Sequence, residues 1–425
     1  MGRGGIAAVA LALAAAGCSG GGGSAGDGSV LVVLDGTALV VHSASGEELR
    51  RADVGTADLQ LRATAAPDRL LVALDGGGGF LFDTDTGELH PLPPLGESGG
   101  IGLQAPAGSE ARITVLPSNP PSLSGPSLLV DLADGTASEV PIGFGSTFVS
   151  PDGTHALGLG DSGAVLVDAD DPSSVVTFEE EQPGGFLADG RFVTFDVRGG
   201  VVHVRSVDGG EDAIVQGAER TVGVTCGDRV ALLDFEAETV VLVQPDGTEV
   251  GQIAEGSAVD VPTCLDGGRE VVLGGQVRDG RQVVLADVAS GEARTLDLDP
   301  DLSLDVTTRD AAYAVFGDGL DGESIVVVDL RFRDQRTVAI GGPLTPGTTR
   351  IRGEHALVVV PGGSVVVDLA AGTAVPLDGR FGDLSPDGST VALTDGDDVV
   401  LAPVGHPDQV TATVTGTRPV WVATG

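Results

Sequence analysis

The sequence predicts an all-β protein, a single β-propeller of about ten four-stranded blades closed by its C-terminal strand, with seven or eight blades as the alternative count. Three observations point there. A short apolar strand ending in Asp recurs through the chain; the runs between are rich in Val and broken by Gly and Asp; and one strand is left over after the last repeat. Of 425 residues, 41% are apolar, 67 are Gly and only 3% are aromatic, so the core must be built from Val, Leu and Ala.

The chain begins with one Arg and an apolar run from Ile6 to Ala16, too short to span a membrane as a mature helix, which reads as an export signal over residues 1–17. Ala15-Ala16-Gly17-Cys18 resembles the bacterial lipobox, although Ala15 stands where Leu is commoner. The resemblance implies cleavage before Cys18, lipidation of its thiol, and a location on the outer face of the cell membrane, held there by the lipid anchor alone. An ordinary signal peptide with Cys18 near its cut is the other reading. Residues 18–28, rich in Gly and Ser, form a flexible tether, and the propeller occupies 29–425.

Past the tether the repeat appears as "FLFD" ending at Asp83, "LLVD" at Asp131, "VLVD" at Asp168, "VLAD" at Asp287, "VVVD" at Asp329 and "VVVD" at Asp368. The spacings are 48, 37, 119, 42 and 39 residues, the long one being three periods. "VHVR" at Arg205 and "VLVQ" at Gln244 fill that gap, and "LVVH" at His42 and "VVLA" at Ala402 flank the series. Each unit reads strand, "PDG"-like turn, strand, tight turn, strand, Asp-led turn, strand. Four short antiparallel strands every ~40 residues is the period of a propeller blade. The closing Asp has a physical role, because its carboxylate accepts backbone N–H groups two residues on and starts the next turn. Unit one, Ser29 to Ala52, lacks an innermost strand, and "PVWVA" at Pro419 to Ala423 is available to supply it and cover the open edge.

"SPDG" at Ser150 to Gly153 and at Ser385 to Gly388 carries a resemblance to the WD40-like and YVTN-like propellers over residues 30–425. The chain departs from true WD40 repeats in lacking their Trp-Asp and Gly-His dipeptides. The resemblance implies the fold and no particular activity.

Gly160-Asp161-Ser162-Gly163 matches the tetrapeptide around the nucleophile of chymotrypsin-like proteases, but it lies between a second and a third strand, where a hairpin tip belongs. None of the six His residues sits in a partner motif, so Ser162 is read as a turn residue and no catalytic residue is assigned. Cys226 and Cys264, in the turns after the first strands of consecutive units, suit a disulfide between adjacent blades; two separate buried thiols are the alternative. Asp83-x-Asp85-x-Gly87-Glu88 and Asp318-x-x-Asp321-x-Glu323 lack a full calcium-loop pattern and read as solvated turns. Ser206 to Gly210 partly resembles an Asp-box turn without its Thr-Trp. His155 and His355 hold matching positions, which is repeat geometry rather than a metal pair. No metal or cofactor is expected.

Charge narrows the partners. With 23 basic and 62 acidic residues the net charge is −39, and every basic residue is Arg. A genome rich in G and C accounts for the Arg, and adaptation to salt is the alternative. Nucleic acid is not an expected partner of such a surface. The expectation is a non-enzymatic protein-binding or scaffold module of the cell envelope whose partner carries a basic patch. A lactonase- or hydrolase-like enzyme, with polar residues gathered at one mouth of the central channel, is the alternative. Sugar binding is disfavoured by the shortage of aromatic platforms.

Overall fold

A strand buried on both faces reads as an unbroken apolar run, because successive side chains point to opposite sides. "VLVVL" is such a run. In the computed structural model its Leu31 and Val33 pack against Ala392, Val399, Leu401 and Trp421, while Val32 and Leu34 pack against Leu70, Val72 and Phe82. The sheet carrying this strand is therefore sandwiched between two others, as a blade should be.

The structure describes residues 28–424 apart from 76, 96–100, 103–108, 110, 118–125, 144–146, 197, 209, 217–220, 235, 237–238, 256–262, 265–269, 278–279, 297–302, 308–312, 318–321, 331–333, 346–347 and 378. Among the described residues the strands form ten four-stranded antiparallel sheets. Sheets 2 to 10 follow the chain over 59–92, 101–140, 148–179, 182–216, 221–255, 263–296, 303–339, 350–376 and 382–415, each with its strands side by side in chain order. Sheet 1 joins the two ends: Glu48–Asp53, Ala38–Ser43, Ser29–Asp35 and then Thr417–Ala423. Leu31 stands opposite Trp421 and Val32 opposite Val420. The left-over strand thus takes the place the sequence assigned to it, and the fold is an all-β, multi-bladed propeller closed between its first and last strands.

Apolar clusters join sheets 2 and 3, 3 and 4, 4 and 5, 5 and 6, 6 and 7, 8 and 9, and 9 and 10, as they join 10 to 1 and 1 to 2. Fourth strands behave differently. Glu48–Asp53 and Asp334–Ala339 each bury a single residue and expose the rest, and their charged side chains discourage pairing with another molecule.

Candidate functional site

Antiparallel order puts the first-to-second and third-to-fourth turns of every sheet on one face. Two devices build that face. In the "SPDG" turns, the Ser150 hydroxyl donates to Asp152 Oδ1 at 2.6 Å and accepts the His155 N–H at 2.9 Å, while the Thr154 N–H donates to Asp152 Oδ1 at 3.0 Å. Ser385, Asp387, Ser389 and Thr390 repeat this network in sheet 10. Burial pushes the Asp152 carboxyl up, but the bonds from Ser150 and Thr154 outweigh it and hold the group below its ordinary range. The turn needs Gly at its end: Gly388 has φ +71°, and a Cβ there would sit 2.4 Å from the Arg352 carbonyl oxygen of the neighbouring sheet.

The closing aspartates are the second device. Asp83 accepts the N–H of Asp85, Asp131 that of Ala133, and Asp168 that of Asp170, each two residues on, at 2.9, 2.8 and 2.8 Å. Asp287 and Asp368 differ from the expectation: they reach the N–H of Ser290 and of Ala371, three residues on.

In sheets 2 and 3 an Arg opens the second strand directly opposite the closing Asp. Arg69 pairs with Asp83 at 2.8 Å and donates across to the Leu132 and Ala133 carbonyls of sheet 3 at 2.6 and 3.1 Å. Arg112 pairs with Asp131 at 3.3 Å, then reaches sheet 4 through the Gly153 carbonyl at 2.9 Å and Asp170 at 2.5 Å. Burial pulls the Arg112 guanidinium down, and the Asp170 and Asp131 carboxylates more than restore it, so its pKa lies above the ordinary value. These two struts floor an open groove of about 450 Å³ across sheets 2, 3 and 4, lined by Pro67, Leu132, Ala133, Asp152 and Asp170 among others. With the arginine charges engaged within the floor, the groove presents carboxylates and small apolar surfaces outward. Sequence reasoning missed it, although its signal was present: Arg at the register position facing the closing Asp in two successive units.

Two further polar groupings lie elsewhere. Between sheets 4 and 5, Arg205 Nη2 donates to Glu181 Oε1 and Oε2 at 2.8 and 3.2 Å, and its Nε donates to Thr194 Oγ1 at 3.3 Å. The Thr194 hydroxyl itself donates to Glu181, His203 Nε2 lies 3.7 Å from Glu181, and the guanidinium sits 4.7 Å above the Phe178 ring. His203 and Arg205 alternate with Val202 and Val204, which face sheet 6, so this grouping fills a joint between blades. On the innermost strands of sheets 9 and 10 stand Arg350, Arg352 and Asp383. Asp383 Oδ2 accepts the Trp421 N–H at 2.9 Å. Burial pushes the Asp383 carboxyl above its ordinary value, against the charges of Arg352 and Arg350 and that hydrogen bond.

Ser162 is placed in the turn between His155–Leu159 and Gly163–Asp168, where its carbonyl accepts the Glu180 N–H at 2.8 Å. His155 and His355 both open second strands, opposite Asp168 and Asp368, in different sheets. Asp83 is occupied by Arg69 and by backbone N–H groups, as a turn carboxylate would be. The Ser206 hydroxyl and the Gly210 N–H donate to Asp208 at 2.6 and 3.0 Å, closing that turn. Cys226 is buried and disulfide-bonded; it and Cys264 end the first strands of sheets 6 and 7, rather than lying in the turns that follow. Cys18 and 318–321 of the second acidic stretch fall outside the described residues.

No family model and no curated protein matches the sequence. Solved structures do resemble the fold. A crystal structure of the eukaryotic initiation factor is 11% identical with a TM-score of 0.55, covering 92% of this chain and 98% of that one. Dihydro-heme d1 dehydrogenase NirN in complex with DHE is 14% identical with a TM-score of 0.45, covering 93% and 75%. The WD40 domain of Toxoplasma gondii coronin is 14% identical with a TM-score of 0.42, covering 60% and 77%. At these identities the first of them speaks for the shared fold alone.

Proposed function

We propose that this protein is an extracytoplasmic scaffold of the cell envelope, anchored by a lipid on Cys18, whose ten sheets form one ring of ten blades and whose acidic turns bind another envelope protein. The groove over sheets 2, 3 and 4 carries the reading. It spans three blades, is bridged from sheet to sheet by Arg69 and Arg112, and offers Asp152 and Asp170 beside Pro67, Leu132 and Ala133. A propeller lets such turns vary without disturbing its strands. A chain of net charge −39 favours a partner with a basic patch, and Coulomb steering then speeds the encounter. Cys264 is the partner we assign to Cys226, since they end neighbouring first strands.

The decisive experiment is capture of a partner from envelope extract with the wild type and with an Asp152→Asn/Asp170→Asn double variant. The wild type should retain a basic partner, and its association rate should fall as salt rises and screening shortens the attraction to roughly 8 Å. Equal capture and equal rates for both forms would remove the groove from the reading. Cys18→Ser should release the protein from membranes, and a processed variant that stays membrane-bound at unchanged mass would remove the anchor.

A second reading, a lactonase- or hydrolase-like enzyme, draws support from one observation: Asp383, Arg350 and Arg352 bring an acid of raised pKa and two cations together on innermost strands. Turnover of a lactone or ester by purified protein, abolished in Asp383→Asn, would favour it.

A further inference from the structure

The strand Arg350–Arg352 alternates charged and apolar side chains. Ile351 packs into the core shared by sheets 8 and 9, so Arg350 and Arg352 project from the opposite face, toward sheet 10. Asp383 lies on the first strand of sheet 10, Gly382–Leu384. First strands are the innermost strands of a propeller and border its central passage. The two arginines and the aspartate therefore share the inner wall where sheets 9, 10 and 1 meet.

These arginines differ from those at the groove. Arg69 and Arg112 are paired with closing aspartates. Arg350 and Arg352 form no ion pair among the described residues; each donates only to the carbonyl preceding it, Thr349 at 3.5 Å and Ile351 at 3.0 Å. What sets Arg350 and Arg352 apart is their placement, two guanidiniums two residues apart on one face of an innermost strand with no ion pair among the described residues. Asp383 does not compensate them fully. Its Oδ2 is taken by the Trp421 N–H at 2.9 Å and its Oδ1 by the Leu384 N–H at 3.0 Å, which fix it in place. Burial moreover raises its pKa despite both arginines, so its negative charge is disfavoured there. The Gly388 turn of sheet 10 also lies against this strand, close enough that a Cβ on Gly388 would meet the Arg352 carbonyl.

We propose that Arg350 and Arg352, with Asp383 beside them, form a site on the inner wall of the propeller for a small oxyanion, the carboxylate or phosphate group of a ligand. The planar fork of a guanidinium matches two oxygens of either group, and two forks on one strand face offer two such edges. The surrounding negative charge repels anions in general, so an anion is retained only where neighbouring cations outweigh it locally, as two guanidiniums on one strand face do. This site requires neither turnover nor the protein partner proposed above.

Titration calorimetry of the full chain at low ionic strength tests it, with inorganic phosphate and succinate as separate probes. At least one probe should bind saturably with one-to-one stoichiometry and raise the unfolding temperature. Affinity should fall tenfold or more in Arg350→Gln and in Arg352→Gln, hold in Arg380→Gln, and hold or improve in Asp383→Asn. Tighter binding of phosphate identifies a phosphoryl ligand, and tighter binding of succinate a carboxylate ligand. Saturable binding of neither probe overturns the proposal, as does a loss in Arg380→Gln equal to that in the other variants. If Arg352→Gln does not fold, exposed Arg350 still decides: undiminished affinity in Arg350→Gln is also a refutation.

Discussion

Leu31 and Trp421 face each other across the two strands that join the ends of the chain, and both are buried in the core between sheets 10 and 1. Removing residues 417–425 takes the innermost strand from sheet 1 and the indole from that core. The deletion should lower the unfolding temperature sharply, and Trp421→Ala alone should cost about 3–5 kcal/mol in denaturant unfolding. A deletion variant as stable as the full chain would show that the joint contributes nothing.

This joint was legible because a strand without a hairpin partner has few places to go. The "PVWVA" run follows a complete unit, and unit one is short of a strand. Closing aspartates were legible for a similar local reason, since a carboxylate next to a turn finds its N–H donors within three residues. Arg69 and Arg112 were not. Their partners lie 63 and 41 residues away, on carbonyls of the next sheet, and a backbone carbonyl has no signature in sequence. Arg205 was read as a stand-in for a closing Asp, and nothing nearby in sequence says that Glu181, from the preceding connection, holds it.

The disulfide at Cys226 makes a separate prediction, resting on its assignment to Cys264. A bond across a 38-residue separation removes chain entropy from the unfolded state worth about 4 kcal/mol in the loop-closure model. Cys226→Ala should therefore lower unfolding free energy by that order, and reductant should destabilise the wild type but not the variant. Mass spectrometry of unreduced peptides should recover 226 linked to 264; a free thiol at 264 would refute the assignment.

Arg205 and Glu181 make another. Both are largely buried, and Glu181→Ala leaves the guanidinium without its carboxylate, at a cost of about 3–5 kcal/mol. Replacing both, as Glu181→Leu with Arg205→Met, should recover much of that loss, because the site already adjoins Phe178 and Phe192. A double variant no better than the sum of its parts would mean that the pair is not coupled in this way.

His42 gives the fold a pH dependence whose sign follows from its surroundings. Its Nδ1 lies 3.2 Å from the Gly46 carbonyl, which only accepts, so Nδ1 carries the hydrogen and Nε2 is left buried without a hydrogen-bond partner among the described residues. Burial holds the imidazole below its ordinary value of 6.5, and Arg51 acts in the same direction, while the Gly46 bond and the charges of Glu48 and Asp35 oppose it. The unfolded chain takes up this proton near pH 6.5 while the folded protein resists it. The contribution to stability is thus complete above that pH and is lost as pH falls toward the lower folded value. Carboxylates held below their ordinary range, such as Asp152, lose theirs only in more acid solution, below about pH 4. From about pH 7.5 down to about pH 5 the unfolding free energy of the wild type should therefore fall relative to that of His42→Gln, whose amide can still donate to Gly46, while the raised Asp383 carboxyl adds an opposite slope common to both proteins. Parallel pH profiles in the two proteins would assign the slope to other groups.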